Sequence, residues 1–160
     1  MENNLKASAK RIQDHLHHLG IETKVIEFKE LTRTAEEAAK AIGCEVAQIA
    51  KTIIFKGKTT HKPIVVIASG KNRVDEKKIE SKINEKVEKS DADFVLKHTS
   101  FAIGGVPPIG YALDIKPFLD EDLKAYDMLW AAAGTPNAVF CLTFDDLLKI
   151  TQGQIIDLKK

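Results

Sequence analysis

The sequence predicts a single α+β domain over residues 1–160, in which a mixed β-sheet is surrounded by helices. Three observations support this prediction. The length of 160 residues suits one domain of ordinary size. Apolar residues make up 44% of the chain, which is enough for a substantial core. Helical and strand patterns also follow one another without the regular alternation that a doubly wound parallel sheet requires.

The helices are predicted from apolar spacing and from capping residues. Between residues 5 and 19, apolar side chains recur at steps of three and four, so we expect a first helix that ends at Gly20. Thr34 and Glu37 have the spacing of a capping box, and Gly43 is expected to end this second helix. Three later helices are predicted to begin at the capping residues Asp75, Ser90 and Thr143.

The strands are predicted from short apolar runs. Residues 53–55 and 64–68 are separated by a polar segment that contains Gly57, which is typical of a β-hairpin. Further strands are expected around the remaining apolar runs, at residues 25–28, 112–115, 128–132, 138–142 and 155–158.

The net charge of +1 gives the whole molecule no strong attraction for nucleic acid, so an RNA site requires a local concentration of charge. Two segments offer one. Lys51, Lys56, Lys58 and Lys62 occur with no acidic residue between them, and residues 71–89 contain seven basic and five acidic side chains. A basic rim beside a pocket would suit RNA phosphates, although a solvated charged face explains the second segment equally well.

Several classes of protein are disfavoured. No apolar stretch is long enough to span a bilayer, and the first residues lack the apolar core of a signal peptide. Cys44 and Cys141 show no metal or disulfide spacing, so we expect reduced thiols in a cytoplasmic protein. His15 and His18 are three residues apart, but no Asp, Glu or Cys cluster completes a metal site around them. Neither a metal nor a cofactor is therefore predicted.

Two loops have a composition that suits a binding or catalytic site. In residues 103–110, the adjacent Gly104 and Gly105 allow the backbone to approach a ligand and to direct N–H groups toward it. Such donors can stabilise the oxyanion that forms when water attacks an ester. The alternative is a tight structural turn. The second loop, residues 133–136, follows the single tryptophan, Trp130, and forms either the opposite wall of a pocket or a turn between strands.

Lys51 is the candidate charged residue, because it begins the apolar run of residues 52–55 and can point off a sheet into a cleft. An ammonium group there can hold a phosphate or polarise a carbonyl. From its position alone, a solvated lysine at a strand end is the commoner interpretation.

Six short segments, in this order and spacing, resemble the YbaK/ProX family, also called the prolyl-tRNA synthetase-associated domain family. They are residues 34–39, 48–52, 68–70, 73–75, 101–110 and 132–135. The resemblance implies a mixed, barrel-like sheet surrounded by helices. It also implies that the chain is a free-standing cytoplasmic hydrolase, which removes alanine, serine or cysteine from mischarged tRNA-Pro or a related tRNA.

The resemblance also assigns catalytic residues. Lys51 matches the lysine that is essential in the family, and Gly104 and Gly105 match the glycine loop near the scissile ester. This chain has Pro107 where other members commonly have Ser or Thr.

The expected substrate-binding residues are Pro108, which matches the proline of the glycine loop, and Gly134 and Thr135, which match the second pocket loop. The implied partners are aminoacyl-tRNA and, as an optional second partner, an aminoacyl-tRNA synthetase. Neither a membrane nor DNA is expected to be a partner. Two alternatives stay open from the residues alone: a non-catalytic module that binds tRNA or a synthetase, and a hydrolase of small esters or thioesters.

Overall fold

The computed structural model describes residues 7–30, 32, 34–111 and 115–160, and the following account concerns these residues. The helices are α1 (Ala7–His18), α2 (Ala35–Ile42), α3 (Glu76–Ile83), α4 (Ala92–Thr99) and α5 (Phe144–Thr151), with short 3-10 helices at Val46–Gln48 and Glu121–Ala125. The strands are β1 (Ile26–Glu27), β2 (Ala50–Gly57), β3 (Pro63–Ser69), β4 (Val87–Lys89), β5 (Phe118–Asp120), β6 (Leu129–Ala132), β7 (Ala138–Leu142) and β8 (Gln154–Ile156).

The capping residues of α2 confirm its prediction in detail. The Glu37 amide donates to the Thr34 hydroxyl and the Thr34 amide donates to the Glu37 carboxylate, both at 3.1 Å. Gly43 ends the helix with φ 86°, a left-handed conformation that glycine adopts without steric cost. Asp75 and Thr143 likewise cap α3 and α5 as predicted.

The prediction that Ser90 begins α4 was wrong. The N-cap is Asp91, whose carboxylate accepts the Phe94 amide at 2.8 Å. A carboxylate three residues before that amide satisfies it directly, so the helix begins one residue later than expected. Ser90 is left free of capping and lines the cleft described below.

The strands form two sheets. A three-stranded antiparallel sheet has the order β1-β7-β6, and a five-stranded mixed sheet has the order β4-β2-β3-β5-β8. Only the pairs β3–β5 and β5–β8 are parallel. The α+β class is therefore confirmed, and among the described residues the sheets are open rather than closed into a barrel.

The hairpin and the strands near residues 26, 129–132, 138–142 and 155 are also confirmed. The strand expected at residues 112–115 stays a prediction, because residues 112–114 lie outside the described part. The next strand that the structure describes, at Phe118–Asp120, was not predicted. Strand β5 is central in the mixed sheet, so its pairing with β3 and β8 fixes its position.

The largest buried cluster packs the two sheets against α1, α4 and α5, and it includes Phe101, Leu119, Phe140 and Leu147. Burying each of these side chains fully contributes about 1.5–3 kcal/mol. None of the helices in the described residues has both the length and the apolar character needed to cross a bilayer.

Candidate active site

A cleft of about 790 Å³ brings together three of the residues singled out by the sequence. Lys51, Gly104 and Thr135 all line it, although they belong to separate segments of the chain. Sites for small molecules usually have volumes of about 300–1,000 Å³, so the cleft falls within the size range of such sites.

Lys51 lies between two neighbouring strands that carry small residues. The antiparallel register of β2 and β3 pairs Lys51 with Ala68. On the other side, an isolated parallel bridge from Ile49 to Trp130 brings β6 next to the start of β2. The small Ala68 side chain leaves room for the lysine side chain, which shares one face of β2 with Ile53.

The charge of Lys51 is not neutralised within the described part of the chain. Lys51 is half-buried, and no carboxylate there lies within salt-bridge distance of its ammonium group. A half-buried, unpaired cation in a cleft attracts an anionic ligand more strongly than a fully solvated lysine does, because the local dielectric constant is lower.

The two loops predicted from the sequence are in direct contact. The Gly134 amide donates to the Gly105 carbonyl at 3.0 Å. A Cβ added at Gly105 would lie 2.6 Å from the carbonyl carbon of Thr135, so only glycine permits this close approach. Gly105, Pro108 and Gly134 are buried behind the cleft surface, whereas Gly104 and Thr135 reach it.

The glycine loop presents two backbone donors. The Gly105 amide is occupied, because it donates to the Ala102 carbonyl at 3.0 Å. The amides of Gly104 and Val106, two residues that line the cleft, have no acceptor among the described residues. Gly104 has φ 92°, which an L-residue rarely adopts, so the loop needs glycine at this position.

Tyr111 supports the glycine loop from within. Its hydroxyl donates to the Pro107 carbonyl. Burial raises the pKa of the Tyr111 phenol well above its usual range, so the hydroxyl remains a protonated donor at physiological pH. This bond holds the loop to the segment that follows it.

The second loop is held by polar side chains that the sequence did not single out. The Thr135 hydroxyl donates to the Asn137 amide oxygen at 2.9 Å, and the Asn137 side chain donates to the Phe28 carbonyl at 2.7 Å. The Thr32 hydroxyl donates to the Pro136 carbonyl at 2.9 Å. Thr32 also lines the cleft. No spacing in the sequence connects residues 28 and 32 with residues 135–137, so only the folded chain reveals this network.

Neither the cysteines nor the histidines join this site. Cys44 packs against the small cluster of Ala38, Ala39 and Ile49 and is not one of the cleft-lining residues. Desolvation raises the pKa of the Cys44 thiol, which favours the protonated, weakly nucleophilic form. Across the described ranges, no three His, Cys, Asp or Glu side chains are grouped closely enough to hold a metal ion.

Comparison with known proteins identifies the family to which the chain belongs. A model of the aminoacyl-tRNA editing domain matches residues 29–150, a segment that contains Lys51 and both loops. The chain therefore belongs to the aminoacyl-tRNA editing domain family, and the resemblance to YbaK/ProX is confirmed. Its class of activity is hydrolysis of aminoacyl-tRNA.

Individual relatives agree with this assignment. The uncharacterised protein YwhH of Bacillus subtilis is 32% identical over 154 residues, which cover 96% of this chain and 98% of YwhH. EbsC of Enterococcus faecalis, a candidate Cys-tRNA(Pro)/Cys-tRNA(Cys) deacylase, is 29% identical over 78% of this chain and 76% of its own. The crystal structure of a candidate trans-editing enzyme for prolyl-tRNA synthetase is 42% identical, with a TM-score of 0.92, over 98% of this chain and 99% of that one.

Proposed function

We propose that this protein acts in trans on mischarged tRNA-Pro or a related tRNA and hydrolyses the ester of a small amino acid, namely alanine, serine or cysteine. The observation that carries the proposal is the cleft in which the unpaired Lys51 shares one cavity with Gly104 and Thr135. The name of EbsC supports tRNA-Pro and cysteine, and the name of the solved trans-editing structure supports a link to prolyl-tRNA synthetase.

Lys51 binds the substrate in this mechanism. Its ammonium group contacts the phosphate of the terminal adenosine and so positions the ester in the cleft. Correct positioning of reactants can contribute about 7–11 kcal/mol toward lowering a barrier, so a group that fixes the ester is important even if it exchanges no proton.

The chemical step is attack of water on the ester carbonyl carbon. The amides of Gly104 and Val106 donate to the developing oxyanion, while Gly105 keeps the loop close to Thr135. The intermediate then expels the ribose oxygen, which takes up the proton released by the attacking water. A ribose hydroxyl of the substrate activates this water, and the enzyme forms no covalent bond to the amino acid.

The end of the cleft that Gly104 and Thr135 line selects for small amino acids. Thr135 and Val106 are buried, and the polar bonds of Thr135 and Asn137 limit any widening of this end of the cleft. A difference of one methylene group changes binding by about 1–3 kcal/mol, so the pocket discriminates between similar side chains by roughly 10–200-fold. Pro108 and Gly134 contribute by shaping these loops from behind.

A deacylation panel tests the proposed function. The purified protein is incubated with alanyl-, seryl-, cysteinyl- and prolyl-tRNA-Pro, and release of the labelled amino acid is followed with time. We expect rapid release of one or more of the small amino acids and retention of proline. A folded protein that releases none of them would instead be a non-catalytic module that binds tRNA or a synthetase.

The role of Lys51 predicts that Lys51→Ala lowers kcat/KM by on the order of 100-fold, comparable with the loss of one transition-state contact. Lys56→Ala is the matched control. Lys56 is a half-buried lysine of the same strand, but its ammonium group lies 5.3 Å from the Phe94 ring and it does not line the cleft. Similar activity in the Lys51 and Lys56 variants would refute the role of Lys51.

A further inference from the structure

The charged residues of the chain are unevenly distributed around the cleft. Although the net charge is +1, the cleft-lining residues in the described part include two acidic side chains, Glu36 and Glu76, and five cationic ones. The cationic side chains are Lys51, Lys71, Arg73, Lys89 and Lys160. The cleft therefore has a surplus of positive charge that the overall composition conceals.

Three of these cations form one margin of the cleft, which we call the basic rim: Lys71, Arg73 and Lys160. They come together because the last residues of the chain pair with the segment after β3. The Lys160 amide donates to the Arg73 carbonyl at 3.0 Å, and Val74 forms an antiparallel bridge with Lys159. The basic rim follows directly from β3, whose Ala68 is paired with Lys51.

The rim is built on a rigid turn. Asp120 is fully buried, and its carboxylate accepts the Ser69 amide at 3.0 Å and the Asn72 side-chain amide at 2.8 Å. The Gly70 amide donates to the Ile49 carbonyl at 2.8 Å. These bonds fix the backbone on both sides of Lys71, whose side chain is exposed.

Two acidic side chains near the rim form ion pairs with lysines outside it, and Glu36 and Glu76 are the acidic side chains that line the cleft itself. Asp122 pairs with Lys159 at 2.7 Å, and Asp157 pairs with Lys78 at 2.8 Å. In contrast, within the described ranges the three rim cations have no carboxylate at salt-bridge distance. The arrangement leaves their charges available to a ligand.

We propose that the basic rim binds the phosphates of the single-stranded 3′ end of tRNA as it enters the cleft. This inference rests on the proposed function. Lys51, the rim and the two pocket loops line the same cleft, so an amino acid bound at Gly104 and Thr135 leaves the rest of the cleft, including the rim, to the preceding nucleotides. A groove of cations that follows the backbone is the usual way in which proteins hold single-stranded nucleic acid.

The test compares two triple variants with the same change in charge. The first is Lys71→Ala, Arg73→Ala and Lys160→Ala. The control is Lys82→Ala, Lys124→Ala and Lys149→Ala, which removes three exposed lysines that do not line the cleft. Binding of fluorescent uncharged tRNA is measured by anisotropy at several salt concentrations, and KM and kcat are measured on an aminoacyl-tRNA that the unmodified protein deacylates.

The expected magnitude follows from counterion release. Each phosphate contact on a single strand contributes about 0.7 to the slope of log K against log salt, which is about fourfold in affinity at about 0.15 M salt. The rim variant should therefore bind tRNA roughly 50-fold more weakly, with a slope smaller by about 2. Its KM should rise with little change in kcat, and the control variant should behave like the unmodified protein.

The outcomes separate the two proposals. If the unmodified protein deacylates tRNA but the rim variant keeps its affinity, salt slope and KM, the rim proposal is wrong and the proposed function stands. If no aminoacyl-tRNA is deacylated but the rim variant loses tRNA binding, the rim proposal stands and the proposed function is wrong. Loss of binding to prolyl-tRNA synthetase with unchanged tRNA binding would assign the rim to a protein partner and overturn its assignment to RNA.

Discussion

Adding one methyl group at Gly105 should separate the two loops of the cleft. The Cβ of Gly105→Ala would lie 2.6 Å from the carbonyl carbon of Thr135 and 2.8 Å from its Cα. Both are backbone atoms, so no side-chain rotation relieves the contact. Gly105 does not have a positive φ, so the effect of the substitution is steric and adds no backbone strain.

The size of the effect follows from these distances. Ordinary van der Waals contact begins near 3.4 Å, so the loops must separate by about 0.8 Å, the difference between 2.6 Å and 3.4 Å. Overpacking of this kind costs about 1–3 kcal/mol, which lowers Tm by roughly 2–12 °C in a domain of this size. A displacement approaching 1 Å at a catalytic loop lowers the rate by about 100-fold.

Thermal unfolding and deacylation kinetics together test this reasoning, with Gly20→Ala as the control. Gly20 has φ 82° and no neighbouring atom within 4 Å of an added Cβ, so alanine there costs about 1–2 kcal/mol of backbone strain. Gly20 does not line the cleft, so this variant should lose stability and keep its kcat. If Gly105→Ala keeps both the Tm and the kcat of the unmodified protein, the loops do not pack as described.

Two further predictions concern the turn beneath the basic rim. Asp120→Ala leaves the buried Ser69 amide without its acceptor and removes one of the two acceptors of the part-buried Asn72 side-chain amide. The free energy of unfolding should therefore fall by about 3 kcal/mol in urea titrations, and a fall below about 1 kcal/mol would contradict the contacts. Hydrogen bonds from Lys159 and Asn72 lower the pKa of Asp122 from its ordinary value of 3.8. The ion pair of Asp122 with Lys159 therefore stabilises the fold above about pH 4. This contribution is lost as the pH falls through the lowered pKa. Lys159→Met should therefore lower the urea midpoint only slightly at pH 6, because the pair is partly exposed, and the difference should shrink as the pH is lowered from 6 toward 2. Urea midpoints measured across this pH range check the sign, and a difference that grows toward acid pH would refute it.

Local sequence was sufficient to predict a structural element wherever the residues that stabilise it lie close together along the chain. The capping box of Thr34 and Glu37, the left-handed Gly43 and the hairpin of β2 and β3 were all predicted correctly for this reason. Where two capping residues were adjacent, as at Ser90 and Asp91, the pattern could not decide between them, because their side chains compete for amides only one residue apart. Strand β5 was not predicted, because it is short and its partners, β3 and β8, are distant in sequence.

The site was predictable in part. The residues themselves pointed to Lys51 and to the two loops. The resemblance to a family then assigned roles, which stay proposals, to Lys51, Gly104, Gly105, Pro108, Gly134 and Thr135. The sequence could not indicate that the Gly105 amide is already occupied by Ala102, or that Thr32 contacts Pro136. Such facts depend on which backbone groups meet after folding.

By itself, the sequence determined the α+β class, most helix ends and the family. These properties depend on apolar periodicity, on capping within three or four residues and on the order of short motifs. Only the tertiary structure decided which of the many lysines face the cleft. It joins Arg73 to Lys160 and pairs Asp122 with Lys159, and so turns a chain of nearly zero net charge into one with a basic margin beside its cleft. The physical reason is that charge acts through distance in space, and the chain sets those distances only when it folds.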